Sequence, residues 1–179
     1  MSESFQNESE IYTFITTTKS QILSLCNTIE NQLEITLASH FSVVEKDFQL
    51  FCSMLYPIDV GLTFGIKTKL FEKLIQQEEP EYLEKNTDFI KSIDRVRRLR
   101  NEFAHSMNQP KEKLSKFIGK TYFELDYLEL GKLNSKQFML KDIKERYEDL
   151  RNIINELQQF NIRDEKRKNE KIAKIKLKN

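Results

Sequence analysis

Apolar residues recur every three to four positions over most of this chain, a spacing typical of helices that bury one face in a core. The first such stretch predicts one long helix over 10–40, and the last predicts another over 135–160. Shorter stretches of the same kind predict three helices between them, over 45–55, 64–77 and 81–106. The pattern therefore predicts an all-α bundle of about five helices, with a long first and last helix.

Breaks in the apolar pattern separate these helices. Pro57 and Gly61 lie in the segment Tyr56–Gly61, which predicts a loop, and Pro80 marks a second break. Pro110 ends the fourth helix, because a residue before proline is pushed away from the α region. The stretch 111–133 is less regular, and its partly alternating centre predicts either a short extended segment or a helical turn.

The two ends of the chain differ in composition from its middle. Residues 1–9 are polar and predict a frayed start, whereas 10–163 carry the apolar stripes of one helical domain. Residues 164–179 are dense in charge. From Ile162 onward, eight Lys and Arg stand against three acidic residues, so this part predicts a basic tail that is either a fraying helix or disordered.

Charge and cysteine usage narrow the classes of protein to which the chain belongs. The formal net charge is only +1, whereas a compact nucleic-acid reader is usually far more basic, so any contact with nucleic acid has to be local. Cys26 and Cys52 show neither CxxC nor Cys/His spacing, which is typical of thiols in a reducing compartment. No signal peptide or bilayer-spanning apolar run is visible, and we expect a cytoplasmic protein without membrane contact.

The fourth predicted helix carries the only constellation suited to chemistry. At 100° per residue, its core face holds five apolar residues: Phe89, Ile93, Val96, Phe103 and Met107. Asn101 and His105 share the nearly opposite face with Asp94 and Arg98. Arg100 follows Val96 by four residues and precedes Phe103 by three, so it lies on or beside the core face, about 140° from His105.

Two interpretations of Arg100 are open. Its charged end either reaches solvent or pairs with a carboxylate of another helix, or the helix loosens near its end and Arg100 meets His105 at a site partly built by a second subunit. His105 alone is typical of a surface or capping histidine. His40 is interpreted as structural, and Lys67 and Lys69 as a solvated face rather than a phosphate site.

The segment Ile93–Ser106, IDRVRRLRNEFAHS, resembles the signature helix of the HEPN superfamily. That signature is an Arg followed by a polar residue, with a His after four to six intervening residues. Arg100, Asn101 and His105 match these positions, with four residues between the Arg and the His. Gly61–Phe71 is similar to the helix start that precedes the motif in several HEPN branches, mannitol-repressor-like ones included. The resemblance covers about residues 10–160.

The resemblance implies an all-α HEPN-like fold that forms a homodimer, in which two motifs face each other as one composite site. Active HEPN domains are metal-independent endoribonucleases of toxin–antitoxin, phage-defence and RNA-processing systems. Others have lost activity and serve as dimerisation or regulatory modules, which is the alternative function here. For an active domain, His105 would move protons, Arg100 would bind the phosphate, and Asn101 would orient either of them.

The same resemblance implies an RNA substrate and no metal or other cofactor. Arg97 and Arg98 are candidates for binding the RNA backbone, with ion pairs to the acid-rich helices as an equal alternative. A toxin or defence effector of this kind would be held in check by a cognate antitoxin or another regulatory protein.

Overall fold

The computed structural model describes residues 4–41, 62–107 and 110–176. The helix predicted over 45–55 and the loop predicted at Tyr56–Gly61 lie outside these residues. Within them the helices and strands follow in chain order: α1 Glu8–Phe41, α2 Phe64–Glu78, α3 Pro80–Lys85, α4 Thr87–Ala104, α5 Lys111–Leu114, a 3-10 turn Ser115–Phe117, β1 Tyr122–Glu129, β2 Lys132–Met139 and α6 Leu140–Lys176.

The long helices lie largely where the apolar stripes predict them. Buried positions in α1 recur at helical spacing from Ile11 to Leu37, and those in α6 from Ile143 to Phe160. Thr63 caps α2, since its Oγ1 accepts a hydrogen bond from the Ile66 amide at 3.4 Å. The helix predicted over 81–106 is divided at Asn86 into α3 and α4, and Pro80 is the first residue of α3.

The prediction of an all-α fold is wrong, because β1 and β2 form a two-stranded antiparallel hairpin. Tyr122 pairs with Met139 at one end of the ladder, and Glu129 pairs with Lys132 at the turn. Phe123 and Phe138, directly opposite each other, are both buried, so one face of the hairpin belongs to the core. Residues 135–139, predicted to begin the last helix, are strand residues instead, and α6 starts at Leu140.

The chain divides into two compact units. The first, called here the hairpin unit, comprises Met1–Asn27 and Arg95–Arg151, and the second unit comprises Thr28–Asp94 and Asn152–Asn179. The helices α1, α4 and α6 each contribute residues to both.

Phenylalanines form the centre of the hairpin unit. The rings of Phe123 and Phe138 stack 5.5 Å apart, and Phe103 of α4 meets Phe138 edge to face at 5.1 Å. On the other side, Phe14 of α1 packs against Phe123 at 5.8 Å and against Phe5 at 5.5 Å. Phe5 is buried although residues 1–9 predict a frayed start. Phe103 thereby fixes the end of α4 to the hairpin.

Buried charges characterise the second unit. The interpretation of Lys67 as part of a solvated face is wrong, because its side chain is 0% exposed. Its Nζ lies 2.9 Å from Glu30 Oε1 and also contacts Glu34 Oε1. Two carboxylates of α1 thus neutralise a lysine of α2 that could not be buried unpaired.

The C-terminal residues predicted to form a frayed or disordered tail continue α6 to Lys176. Asp164, the first of them, is buried, and its Oδ1 lies 3.2 Å from His40 Nδ1. Lys168 bonds to the other oxygen of Asp164 at 3.1 Å. Arg163 and Arg167 both bind Glu79 at the end of α2. These ion pairs give the charged segment a definite place in the second unit.

Candidate functional site

The helix that carries the motif ends one residue before His105. The last residue of α4 is Ala104, and the His105 amide still donates to the Asn101 carbonyl at 3.0 Å. The His105 carbonyl then accepts a hydrogen bond of 3.3 Å from the Leu128 amide of β1. The backbone of His105 is therefore held on one side by a helix and on the other by a strand.

The residues after His105 lie beside β1 and are joined to it by an isolated antiparallel bridge. Ser106 bridges Tyr127 in antiparallel fashion, and the Met107 amide donates to the Asp126 carbonyl at 2.7 Å. Side chains alternate between the two faces in such an arrangement. Ser106 is buried, whereas His105 and Met107 on the opposite face are exposed. Met107, predicted on the core face, points outward because the helix ends before it.

Side chains of the hairpin unit reinforce this turn. The Ser106 hydroxyl donates to the Phe103 carbonyl at 2.7 Å, and Lys19 Nζ of α1 donates to the Ser106 carbonyl at 2.9 Å. A cation near the C-terminal end of a helix also interacts favourably with its exposed carbonyls. Sequence reasoning missed Lys19, which stands more than eighty residues earlier in the chain and carries no local signal.

Arg100 lies on the side of α4 that faces α1. It is half-buried, and its Nε lies 3.5 Å from the Oδ1 of Asn27 in α1, at the long limit of a hydrogen bond. Burial raises the pKa of the neighbouring Cys26 thiol to about 12, although the positive charge of Arg100 opposes that rise. Asn101 and His105, in contrast, are exposed. The motif thus presents its amide and imidazole outward and its guanidinium toward α1.

The arginines predicted to bind RNA lie on the same helix. Arg98 is exposed and Arg97 is half-buried. Arg97, Arg98 and Arg100 each have an interaction partner inside the chain. Arg95, which lies outside the motif, is exposed as well.

An acidic group accompanies the motif on its core side. Glu102 is half-buried, and its Oε1 lies 2.6 Å from Lys136 Nζ of β2. Its Oε2 has no hydrogen-bond partner among the described residues. Desolvation, followed by the carboxylates of Glu102 and Glu129, raises the pKa of Tyr127 above its usual value. Tyr127 therefore stays protonated at neutral pH.

The concavity beside the turn is small. A cavity of about 40 Å³ lies between α1 and the turn, lined by Lys19, Ser106, Met107 and Leu125 among others. This volume accommodates water, whereas a pocket for a nucleotide-sized ligand needs several hundred Å³. The cavity is therefore too small to hold a nucleotide.

Two searches of the described residues gave negative results. No three His, Cys, Asp or Glu side chains among them are grouped as ligands around a metal ion would be. Within residues 4–41, 62–107 and 110–176, no helix has both the length and the apolar character needed to cross a membrane.

Comparison with known proteins adds no relative. No family model, curated protein or solved structure matches the chain. The likeness of Ile93–Ser106 to the HEPN signature therefore depends on the residues of that segment and on their placement at the end of α4.

Proposed function

We propose that this chain is a metal-independent endoribonuclease of the HEPN type that acts as a toxin or phage-defence effector. The observation that carries the proposal is the placement of His105. Its backbone is fixed by α4 and β1 while its side chain is exposed beside Asn101. An imidazole held in this way can reach an RNA backbone without a deep pocket.

The proposed site is composite and needs two copies of the chain. One protomer presents His105 outward but directs Arg100 toward Asn27. A homodimer would supply two imidazoles and two guanidinium groups to one phosphate. A phosphate oxygen would offer Arg100 a charge-assisted bond, which is stronger than its long bond to Asn27. The proposed setting is the cytoplasm, where RNA is present and unpaired thiols such as Cys26 persist.

The reaction assigned to these residues is transesterification at phosphorus. A neutral His105 takes the proton of the RNA 2′-hydroxyl as that oxygen attacks the adjacent phosphorus. The P–O5′ bond breaks, and the protonated His105 of the second copy gives its proton to the leaving oxygen. Arg100 stabilises the charge that grows on the phosphorane oxygens, and Asn101 orients the imidazole or the phosphate. The products are a 2′,3′-cyclic phosphate and a 5′-hydroxyl.

The test is cleavage of mixed-sequence RNA by the purified chain in EDTA, with analysis of the ends produced. We expect cyclic phosphate ends, and no cleavage of a substrate with 2′-deoxyribose at the scissile position. His105→Ala should lower the rate by about 10²–10⁴-fold, as is usual for loss of a general acid–base. Arg95→Ala, which removes an exposed arginine of the same helix outside the motif, is the matched control for Arg100→Ala.

Wild-type protein that leaves RNA intact under these conditions, or that matches His105→Ala, would contradict the nuclease proposal. A catalytically silent dimerisation or regulatory module is the second candidate. One observation favours it: Arg97, Arg98 and Arg100 all have partners inside the chain, as arginines with a structural role would. A stable dimer without cleavage would support this candidate.

A further inference from the structure

Exposed leucines lie in one row with His105 across the sheet of the hairpin unit. Because Ser106 bridges Tyr127, His105 stands opposite Leu128, and the β1–β2 register places Leu128 opposite Leu133. Directly opposed residues project from the same face of a sheet. All three side chains are exposed, Leu128 to 49% and Leu133 to 64%. Two apolar side chains thus continue the row that begins with the motif histidine.

A third leucine occupies the hairpin turn. Leu130 and Gly131 both have positive φ, 51° and 76°, which is the signature of a two-residue type I′ turn. Asn, Asp and Gly are favoured at the position of Leu130, since a branched apolar side chain rarely adopts this conformation. Leu130 is nevertheless 98% exposed. Neither backbone conformation nor burial in the protomer accounts for a leucine at this site.

Opposite charges flank the leucines. Glu129 and Lys132 are exposed register partners on either side of the turn. In the part of the chain that the structure describes, the carboxylate of Glu129 and the ammonium of Lys132 are engaged in neither a salt bridge nor a hydrogen bond. The acidic side chain is on β1 and the basic one on β2. Two tips related by a two-fold axis can therefore place Glu129 of each copy against Lys132 of the other.

We propose that Leu128, Leu130 and Leu133, called here the leucine tip, form the surface on which a second copy of this chain docks. The proposal rests on the proposed function, because the nuclease site is incomplete in one protomer. Neighbouring strands are about 4.8 Å apart, so His105 lies roughly 10 Å from Leu133 along the row. Docking through the tip brings the two histidines toward one another.

The charge pattern is self-complementary, as docking of a second copy requires. A partner surface with charges of only one sign would place a like charge against either Glu129 or Lys132. A second copy of the chain offers an opposite charge to each of them. A stable interface buries about 800 Å² on each side, more than three leucines supply. The leucine tip is thus the apolar centre of the contact, and the polar residues around it form the rim.

The test measures self-association of the full chain by sedimentation over a range of concentrations. Leu130→Asn introduces a residue suited to the turn, and Leu133→Thr keeps a strand former. We expect the dimer dissociation constant to rise about tenfold for Leu130→Asn and about a hundredfold for the double variant Leu130→Asn/Leu133→Thr. Losses of this size are usual when residues at the apolar centre of an interface are replaced. Leu130→Asn should leave the melting temperature of the dilute monomer unchanged or raised, which shows that the protomer is intact.

The matched control is Ile162→Thr, which removes an apolar side chain 59% exposed on α6 and should leave the dissociation constant unchanged. A wild-type monomer, or a paired variant whose dissociation constant stays within about threefold of wild type, overturns the docking proposal. If the leucine variants dissociate but wild-type protein leaves RNA intact, the docking surface is correct and the nuclease function is not. If wild type and the leucine variants cleave RNA equally well at nanomolar concentration, the function is correct and the docking surface is not.

Discussion

Lys19 illustrates how a single residue can fix the candidate site. Its ammonium bonds to the Ser106 carbonyl at 2.9 Å, directly after His105. We expect Lys19→Met to lower the free energy of unfolding by about 1–2 kcal/mol, because one charge-assisted hydrogen bond is lost. The amides of Met107 and Leu128, which hold the turn against β1, should exchange with deuterium faster than in wild type.

Hydrogen exchange measured by NMR, together with urea unfolding, checks this prediction. Lys144→Met on α6 is the matched control, since Lys144 is an exposed lysine of the same unit. If the amides of Met107 and Leu128 exchange as slowly in Lys19→Met as in the control, the turn does not depend on Lys19.

Asp164 makes stability depend on pH. Burial alone would raise the pKa of its carboxyl group, but hydrogen bonds from His40 and Lys168 hold that pKa well below its usual value. A carboxyl with a depressed folded pKa contributes stability above its unfolded pKa, near 3.9, and loses that contribution as pH falls through the folded pKa. The free energy of unfolding should therefore decrease below about pH 4.

Asp164→Asn separates this effect from general acid denaturation. At pH 7 the variant should be less stable than wild type by about 2 kcal/mol, since bonds to charged groups are lost. The difference should shrink as pH falls toward about 2, because wild type then loses the same interactions. Urea unfolding at pH 7, 5 and 3 measures it. A difference that stays constant with pH would mean that the carboxylate charge is not involved.

At the scale of elements, helix packing in the second unit depends on the buried Lys67. Lys67→Met leaves Glu30 and Glu34 without their cation, and we expect a loss of about 3–5 kcal/mol in unfolding free energy. Adding Glu34→Gln should recover much of that loss. Lys69→Met, at an exposed position of the same helix, should change stability by less than about 0.5 kcal/mol. Urea unfolding of the four proteins tests this, and equal losses for Lys67→Met and Lys69→Met would contradict it.

The elements that sequence predicts well are those with long apolar repeats. Helices α1, α2 and α6 carry such repeats over four turns or more, and helical geometry correctly placed Arg100 on the inner side of α4. The hairpin was missed because β2 has only three apolar residues in eight. Its Leu130–Gly131 turn also lacks the Asn–Gly signal of a type I′ hairpin. Burial of Lys67 could not be predicted, since its carboxylate partners lie more than thirty residues away in the sequence.

At the scale of the whole molecule, the proposed site would need a dimer, and sequence predicts its residues only in part. The motif identified Arg100, Asn101 and His105, but the position of residues 105–107 follows from their backbone hydrogen bonds to β1. No sequence pattern near His105 predicts this pairing, because the partner strand β1 lies about twenty residues later in the chain. The hairpin therefore determines on which face His105 emerges, and which neighbours accompany it.

A mixing experiment tests whether catalysis needs two copies. Wild-type and His105→Ala chains are combined in equal amounts and allowed to exchange subunits, so that about a quarter of the dimers are wild type on both sides. If one His105 removes a proton and the other donates one, only these dimers are fully active. Cleavage should then fall to about a quarter of that of the same total amount of wild-type protein. A site complete within one protomer would retain about half.

The control mixture combines wild type with Arg95→Ala and should keep nearly full activity, since Arg95 lies outside the motif. A result near half for the His105→Ala mixture would place the entire site in one protomer. The exposed His105 would then have to meet its own Arg100, now directed toward Asn27, across the end of α4. Activity near a quarter would mean that cleavage requires the imidazoles of both copies. The orientation of Arg100 toward Asn27 in one protomer would then not prevent catalysis, because the second copy would complete the site.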